Sequence, residues 1–245
     1  MSPYKQTLFV VWINQILFFS SLILMWDNLL VPIGILALYV FGCFSEISIH
    51  RYYTHKSYET TPLKEKFLRI FALLAGQGAT ISWVTVHRTH HAFEDTAKDP
   101  HSPLFHPWWK ILLGLFPTQY KNNLVVDLMR KRSWNYFVFE NKHYWLMWTA
   151  IWIVSLLISK WLFYFIVAGA ALWYIATSAV NILSHGFILG ETRFKETVAT
   201  NSSILNFFTG IGNHNNHHKF PGSYTYSVDN EIDINGWVIE KFFKI

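Results

Sequence analysis

Apolar residues occur in four long runs along the chain, and each run is nearly free of charged residues. The runs cover roughly residues 7 to 26, 29 to 49, 144 to 159 and 161 to 184. About 20 apolar residues are needed for an α-helix to cross a bilayer, so the runs predict four transmembrane helices. Asp27 and Asn28 separate the first two runs, and Lys160 separates the last two. We therefore expect two hairpins in an all-α integral membrane protein.

Lysine and arginine predict how these hairpins are oriented. Nearly all of them lie between residues 51 and 142 or after residue 185, and the positive-inside rule places such segments in the cytoplasm. We expect one domain over residues 1–245, with both termini cytoplasmic and a helical cap formed by segments 50–143 and 185–245. The first run follows the N-terminus without a cleavage site, which favours a retained span. A bacterial inner membrane or the endoplasmic reticulum would suit this topology.

Composition agrees with a bilayer environment. Hydrophobic residues make up 52% of the chain and charged residues only 14%, whereas soluble domains carry about 25% charged residues. The formal net charge of +5 then describes a cytoplasmic face beside anionic lipid, and we expect no nucleic-acid partner. Cys43 is the single cysteine, so the chain forms no internal disulfide.

Histidines are concentrated in three motifs within the polar segments. In chain order they are His50 with His55, His87 with His90 and His91, and His214 with His217 and His218. The second and third motifs read H-x-x-H-H, and residues three and four apart share one face of an α-helix. Five residues do not stay on one face, so we expect His50 to end a helix and His55 to reach back from the following turn. Such convergence is typical of a metal site.

With their flanking residues, these motifs resemble the histidine boxes of the membrane fatty acid desaturases, in particular the Δ9 acyl-CoA type. The likeness covers roughly residues 30 to 240 and includes the run from Gln77 to Pro103 and the run from His214 to Pro221. It implies an O2-dependent enzyme that introduces a cis double bond, at the Δ9 position, into a long-chain acyl group. The acyl carrier, which could be coenzyme A, a lipid or a carrier protein, stays open.

The resemblance also implies roles for residues outside the boxes. His185 corresponds to an additional metal ligand, and Asn181, one helical turn earlier, to a ligand that acts through a water. Gln77 and Trp83 correspond to positions that line the substrate site. Asn213 stands where the family pattern leads us to expect tryptophan, so the pocket wall beside the third box is not inferred.

Carboxylates near the boxes are expected to orient the histidines. Asp95 and Asp99 follow the second box, and the resemblance supports this role for Asp99 in particular. Glu46 departs from the family pattern but lies one helical turn before His50, so it could accept the second ring N–H of that imidazole. It could equally reach the membrane interface.

The basic cluster Arg130-Lys131-Arg132 is typical of a solvated or lipid-facing surface, and it could also help to bind the phosphates of coenzyme A. Arg88 lies within the second box and is the residue that we expect to contact such a substrate. Arg51 and Lys56, in the first box, are further candidates.

Nine histidines exceed the four ligands of one tetrahedral metal site, so two metals are expected. Imidazole binds iron, zinc, copper and nickel alike, and the desaturase resemblance selects two irons. The electrons are expected from a separate ferredoxin, rubredoxin or cytochrome b5 type protein, because the chain has no haem, flavin or cysteine-cluster motif. An acidic donor would suit the basic face.

Two alternatives stay open on the sequence alone. The same scaffold could hydroxylate a lipid or alkane or oxidise a sterol, since hydrogen abstraction is common to these reactions. A membrane metal transporter would also use histidine clusters. That alternative requires polar residues along the spans, whose middles are apolar in this chain.

Overall fold

The computed structural model describes residues 1–116, 122–187 and 189–245, and no β-strand occurs in these ranges. The α-helices are α1 (Pro3–Leu24), α2 (Leu30–Ser45), α3 (Pro62–Leu74), α4 (Thr80–Ala92), α5 (Trp108–Leu112), α6 (Val126–Met129), α7 (Trp134–Ile158), α8 (Lys160–His185), α9 (Ser203–Thr209), α10 (His214–Lys219) and α11 (Ile234–Val238). Two π-helical segments, Glu46–Thr54 and Ile239–Phe243, continue α2 and α11. A 3-10 turn covers Asn122–Leu124.

Three helices among the described residues are long and apolar enough to cross a membrane. They are α1, α8 and the continuous helix Leu30–Thr54, formed by α2 and its π-helical extension. The prediction of an all-helical chain with membrane-spanning segments is confirmed to this extent. The third apolar run lies in α7, which does not belong to this set.

A kink divides α7 into two parts. His143 has non-helical dihedral angles, φ −123° and ψ 18°, in the middle of the helix. The apolar run that starts at residue 144 therefore begins directly after the kink, while the part before it is more polar.

Small and polar residues join the long helices into a bundle. A methyl group on Gly169 of α8 would lie 2.3 Å from the Phe41 ring of α2, so glycine is what allows this close approach. Asn14 Oδ1 accepts a hydrogen bond from Trp152 Nε1 at 3.0 Å, and Gln15 Nε2 donates to Ala171 O at 3.0 Å. These two bonds join α1 to α7 and to α8.

The first histidine motif lies on the π-helical extension of α2, and the expectation that a helix ends at His50 is wrong. The chain continues with hydrogen bonds between residues five apart, including His55 N to His50 O at 3.1 Å. In an α-helix, residues five apart are separated by about 140° around the axis, because one turn takes 3.6 residues. The wider π-helical turn brings His50 and His55 closer to one face.

The start of α4 is fixed against the first part of α7. Glu140 is fully buried and accepts hydrogen bonds from Thr80 N at 3.2 Å and Thr80 Oγ1 at 3.3 Å. Ser82 Oγ donates to Asn141 Oδ1 at 2.8 Å. Burial raises the pKa of Glu140 to about 8, although the hydrogen bonds from Thr80 oppose this rise. The helix that carries the second histidine box is thereby anchored at its first turn.

Candidate metal centre

The nine predicted histidines come together in two groups. The imidazole nitrogens within each group all lie within 4.8 Å of one another. The first group consists of His50, His55, His87, His91 and His217, and the second of His90, His185, His214 and His218. Each H-x-x-H-H motif therefore contributes to both groups.

Helical geometry explains this division. At 100° per residue, His87 and His91 are separated by about 40° around the axis of α4, whereas His90 lies about 100° from His91. The same offsets apply to α10, where His214 and His218 fall in one group and His217 in the other. Two helices with equal spacing can therefore supply two separate sites.

Distances within the first group fit a shared metal ion. The Nε2 atoms of His50 and His87 are 2.9 Å apart, those of His91 and His217 are 2.9 Å apart, and those of His50 and His217 are 3.2 Å apart. Two nitrogens that each lie about 2.1 Å from one ion are about 3 Å apart when they bind at right angles. The donor set of imidazole nitrogens is one that iron accepts.

The second group has the same spacing. Nε2 of His214 lies 2.9 Å from that of His185 and 3.2 Å from that of His218. Nε2 of His90 lies 3.3 Å from that of His218. Four imidazoles therefore face a common point beside the first group.

Three buried carboxylates contact the opposite nitrogens of these imidazoles. The Nδ1 contacts are His50 with Glu46 at 2.8 Å, His90 with Asp99 at 2.7 Å, and His185 with Asp95 at 2.7 Å. When the Nδ1–H of an imidazole donates to a carboxylate, the lone pair on its Nε2 atom is free to bind a metal at the centre of its histidine group. All three carboxylates are ones that the sequence singled out.

Burial keeps most of these imidazoles neutral. It is the main cause that lowers the pKa of His55, His87, His90, His91, His214, His217 and His218, and the neighbouring imidazoles lower each pKa further. The pKa of His91 falls to about 3. A neutral imidazole is the form that binds a metal, so the site is prepared for one.

An arginine that we considered for the substrate is instead buried beside His50. Nη1 of Arg51 lies 2.7 Å from Asp233 Oδ2, Nε lies 3.4 Å from Glu46 Oε2, and the guanidinium stacks 3.8 Å from the centre of the Tyr226 ring. Burial alone would raise the pKa of Asp233, but Arg51 lowers it below its usual range. No local sequence signal links Arg51 to Asp233, because 182 positions separate them.

The predicted substrate-lining residues, Gln77 and Trp83, line a cavity that reaches the first histidine group at His87. Trp83 Nε1 donates to Gln77 Oε1 at 3.0 Å, and Gln77 Nε2 donates to Thr177 Oγ1 at 2.9 Å. The same cavity is lined by His87 and Asn181. Sequence reasoning missed Thr177, although it lies one turn before Asn181 on α8.

His101 is a second residue whose position the sequence did not reveal. It lines this cavity, and its ring centre lies 4.4 Å from that of His90. Its Nδ1 atom is buried and has no hydrogen-bond partner among the described residues. The residue therefore adds an imidazole to the cavity wall outside both histidine groups.

Arg88 contacts protein acceptors with every N–H of its guanidinium. Nε donates to Thr54 O at 2.9 Å, Nη1 and Nη2 donate to the two carboxylate oxygens of Asp127 at 2.7 and 2.9 Å, and each Nη also donates to a backbone carbonyl, that of Leu124 or Tyr53. Its assignment to the substrate stays a prediction that no contact here supports.

Comparison with known proteins agrees with the site. The family model described as fatty acid desaturase matches residues 26–229. The chain is 33% identical over 210 residues to Delta-9 acyl-lipid desaturase 2 of Arabidopsis thaliana, which covers 81% of this chain and 66% of that protein. It is 32% identical over 211 residues to Delta-9 acyl-lipid desaturase 1 of the same plant, which covers 81% and 67%.

The name of a relative from another plant specifies coenzyme A, and not a lipid, as the acyl carrier. Acyl-CoA 5-desaturase AL21 of Anemone leveillei is 32% identical over 216 residues, covering 82% of this chain and 64% of that protein. The chain spans about two thirds of the length of these relatives. The family match covers most of the chain and includes all nine histidines, so the chain belongs to the fatty acid desaturase family.

Proposed function

We propose that the chain uses O2 and two electrons to introduce a cis double bond, between carbons 9 and 10, into a long-chain acyl group. The observation that carries this proposal is the pair of histidine groups, one of which contributes His87 to the wall of a cavity that is also lined by residues of α1 and α8. The Delta-9 names of two relatives support the position of the bond.

The nine histidines would hold two irons, five imidazoles around one and four around the other, with Asn181 acting through a water. When bound, the irons supply the activation of O2 that removes two hydrogens from adjacent methylenes. O2, two electrons, two protons and these two hydrogens together give two waters. The electrons come from a separate carrier of the ferredoxin, rubredoxin or cytochrome b5 type.

The protein's own residues orient the ligands and the substrate. Glu46, Asp95 and Asp99 hold three imidazoles by their Nδ1 atoms. The hydrogen-bonded wall from Trp83 through Gln77 fixes the shape of the cavity next to His87. The cavity then determines which two methylenes of the hydrocarbon lie next to the histidine groups. This positioning decides which carbon–carbon bond reacts.

The acyl carrier that we favour is a membrane lipid. Arg51 and Arg88, two of the cations considered for coenzyme A phosphates, are occupied by protein carboxylates, whereas the side chain of Lys56 is 62% exposed and Arg130 and Arg132 are exposed. The buried arginines are therefore not available to a phosphate, while the exposed cations do not decide between the two carriers. A lipid-bound acyl chain reaches the cavity from the bilayer, and the names of the Arabidopsis relatives agree with such a substrate.

We further propose a single domain with four spans in two hairpins and both termini in the cytoplasm. The second part of α7 is the fourth span, because it is apolar and packs against α1 and α8. Labelling of a cysteine introduced at Ser159, between α7 and α8, should occur only from the outer side. Labelling from the inner side would contradict this topology.

The central experiment is the fatty-acid profile of cells that express the chain. We expect products that are two hydrogens lighter than C16 and C18 acyl groups, and about two irons per purified chain. His90→Ala and His217→Ala each remove a member of a different group and should abolish the product. His143→Ala, outside both groups, is the matched control and should retain it.

Two results would contradict the proposal. A product that gains an oxygen indicates a hydroxylase on the same scaffold, since mass spectrometry separates the two mass changes. Retained desaturation in both histidine variants would exclude the groups as the reaction centre.

A further inference from the structure

A wide groove lies between α2, α9 and the segment that leads into α10. Its volume is about 1010 Å³, and among the described residues it shares no lining residue with the cavity at His87. Tyr39 of α2 lines the groove, and its hydroxyl donates to Phe207 O of α9 at 2.9 Å. The groove is therefore attached to a helix that is long enough to span the membrane, and it is large enough for a lipid-sized ligand.

One wall of this groove is apolar and exposed. It is formed by Ile204, Phe207, Ile232 and Ile234, whose side chains are between 60% and 73% exposed. Exposed apolar surface of this kind marks a membrane contact or a binding site. Because the wall lies beside the apolar helix of Tyr39, hydrocarbon from the bilayer suits it.

The inner wall of the groove carries an unsatisfied amide. Asn213 lines the groove and is 6% exposed, and its Nδ2 atom is buried without a hydrogen-bond partner among the described residues. Leaving a buried donor unpaired costs free energy. The terminal torsion of asparagine is broad, so the amide can turn its N–H towards a ligand in the groove. The missing partner is a hydrogen-bond acceptor.

The residue at this position distinguishes the chain from the desaturase pattern. That pattern leads us to expect tryptophan directly before His214, and the chain has asparagine there. The asparagine side chain is much smaller than an indole and leaves space that the indole would fill. The groove with its free N–H is thus a property of this chain.

Charge narrows the class of ligand. The charged residues that line the groove are Glu191, which is exposed, and Glu231, which pairs with Arg193 at 3.0 Å. No lysine or arginine is among the described lining residues. Like charges repel, so a headgroup with a net negative charge is disfavoured.

We propose that this groove binds one membrane lipid that has ester-linked tails and no net charge. An ester carbonyl accepts a hydrogen bond from Asn213 Nδ2, and a hydrocarbon tail lies along Ile204 and Phe207 towards Tyr39. The site is separate from the cavity of the proposed reaction. Its occupation does not depend on the chemistry at the histidine groups.

The first test compares two lipids that differ only in the carbonyl. The full chain, purified in detergent with its metals, is titrated with an ester-linked phosphatidylethanolamine and with the diether analogue, and bound lipid is counted by native mass spectrometry. The ester lipid should bind about 2- to 10-fold more tightly, since the ether lacks the acceptor for Asn213. Asn213→Leu lacks the donor and should bind the two lipids equally. Phosphatidylglycerol, which is anionic, should bind more weakly than phosphatidylethanolamine.

The second test blocks the groove without touching Asn213. Ser203 is exposed on α9 and lines the groove, whereas Phe208 is 56% exposed on the same helix and does not line it. Ser203→Trp should weaken lipid binding more than tenfold. Phe208→Trp is the matched control and should bind like the wild type.

Three results would overturn the inference. They are equal binding of ester and ether lipids by the wild type, equal binding by the two tryptophan variants, and tighter binding of phosphatidylglycerol than of phosphatidylethanolamine. The ester-to-ether comparison uses the wild type, so it does not require Asn213→Leu to fold. Every readout is lipid binding, so a failure to form desaturated product would bear on the proposed function alone.

Discussion

His50 illustrates how one buried carboxylate controls one imidazole. Both oxygens of Glu46 lie near its Nδ1 atom, at 2.8 and 2.9 Å, and Nε of Arg51 lies 3.4 Å from Oε2 of that carboxylate. The four-residue spacing of Glu46 and His50, about one helical turn, made their contact one of two alternatives, and the structure has the carboxylate at His50 rather than at the membrane interface. The Arg51 contact with Asp233 could not be predicted, because only the tertiary fold brings the C-terminal segment to α2.

Replacing Glu46 by glutamine should weaken iron binding. The amide is uncharged and can present an N–H to His50, so Nδ1 loses its strong acceptor. Loss of such a partner typically costs 10–100-fold in metal affinity or activity. Iron per chain, measured during titration with a chelator, checks this expectation.

Glu65→Gln is the matched control, because Glu65 accepts a hydrogen bond from Ser133 and has no contact with the histidines. It should bind iron like the wild type. If Glu46→Gln retained as much iron as the wild type, Glu46 would not be needed to orient His50.

At the scale of elements, the positions of α4 and of the π-helical extension determine where the histidines point. Sequence spacing predicted that the histidines of α4 share a face, and it also contained the 40° and 100° offsets that divide them. The π-helical turn at His55 was missed, because ordinary helical periodicity gives no sign of hydrogen bonds between residues five apart. The anchoring of α4 by Glu140 was missed for another reason: it depends on the packing of α7.

The Glu140 contact predicts a pH dependence of stability. Its pKa in the folded protein, about 8, lies above the ordinary value of 4.5, so the folded state holds the proton more tightly than the unfolded state. The resulting stabilisation is complete below about pH 4.5 and is lost as the pH rises through 8. The Glu140→Gln variant resembles the protonated form of Glu140, so it does not lose this stabilisation as the pH rises.

The difference in Tm between Glu140→Gln and the wild type, in one detergent, should therefore grow in favour of the variant from pH 5 to pH 8. Using the difference cancels the titration of other groups. A constant difference would show that Glu140 does not titrate in this range.

Across the whole molecule, the histidine groups join segments that are distant in the sequence. His50 and His217 lie in one group, 167 positions apart, and His185 and His214 lie in the other. The sequence predicted which histidines would gather and how many metals they suit. It could not predict the division into five and four, because that depends on how α4, α8 and α10 pack.

Removing the metals should lower the stability of the whole chain. A ligand that binds only the folded state at 100 times its Kd stabilises it by about 2.7 kcal/mol. For a chain of this size, about 1 kcal/mol corresponds to roughly 2–4 °C in Tm. We expect a strong chelator to lower Tm by roughly 5–10 °C per iron.

The double variant His90→Ala with His217→Ala should lose most of this response, since each group has then lost a ligand. A chelator effect of the same size in the double variant would mean that the metals are bound elsewhere.

The π-helical extension connects the first metal group to the bilayer itself. Because Leu30–Thr54 is one continuous helix, His50 and His55 are attached to an apolar helix that is long enough to span the membrane. Arg88 of α4, the helix that carries His87 and His91, donates to the Thr54 and Tyr53 carbonyls of that helix. Spans tilt when the hydrocarbon layer becomes thinner or thicker. A change in the tail length of the surrounding lipids would therefore move the π-helical extension and α4 together, because these hydrogen bonds couple them.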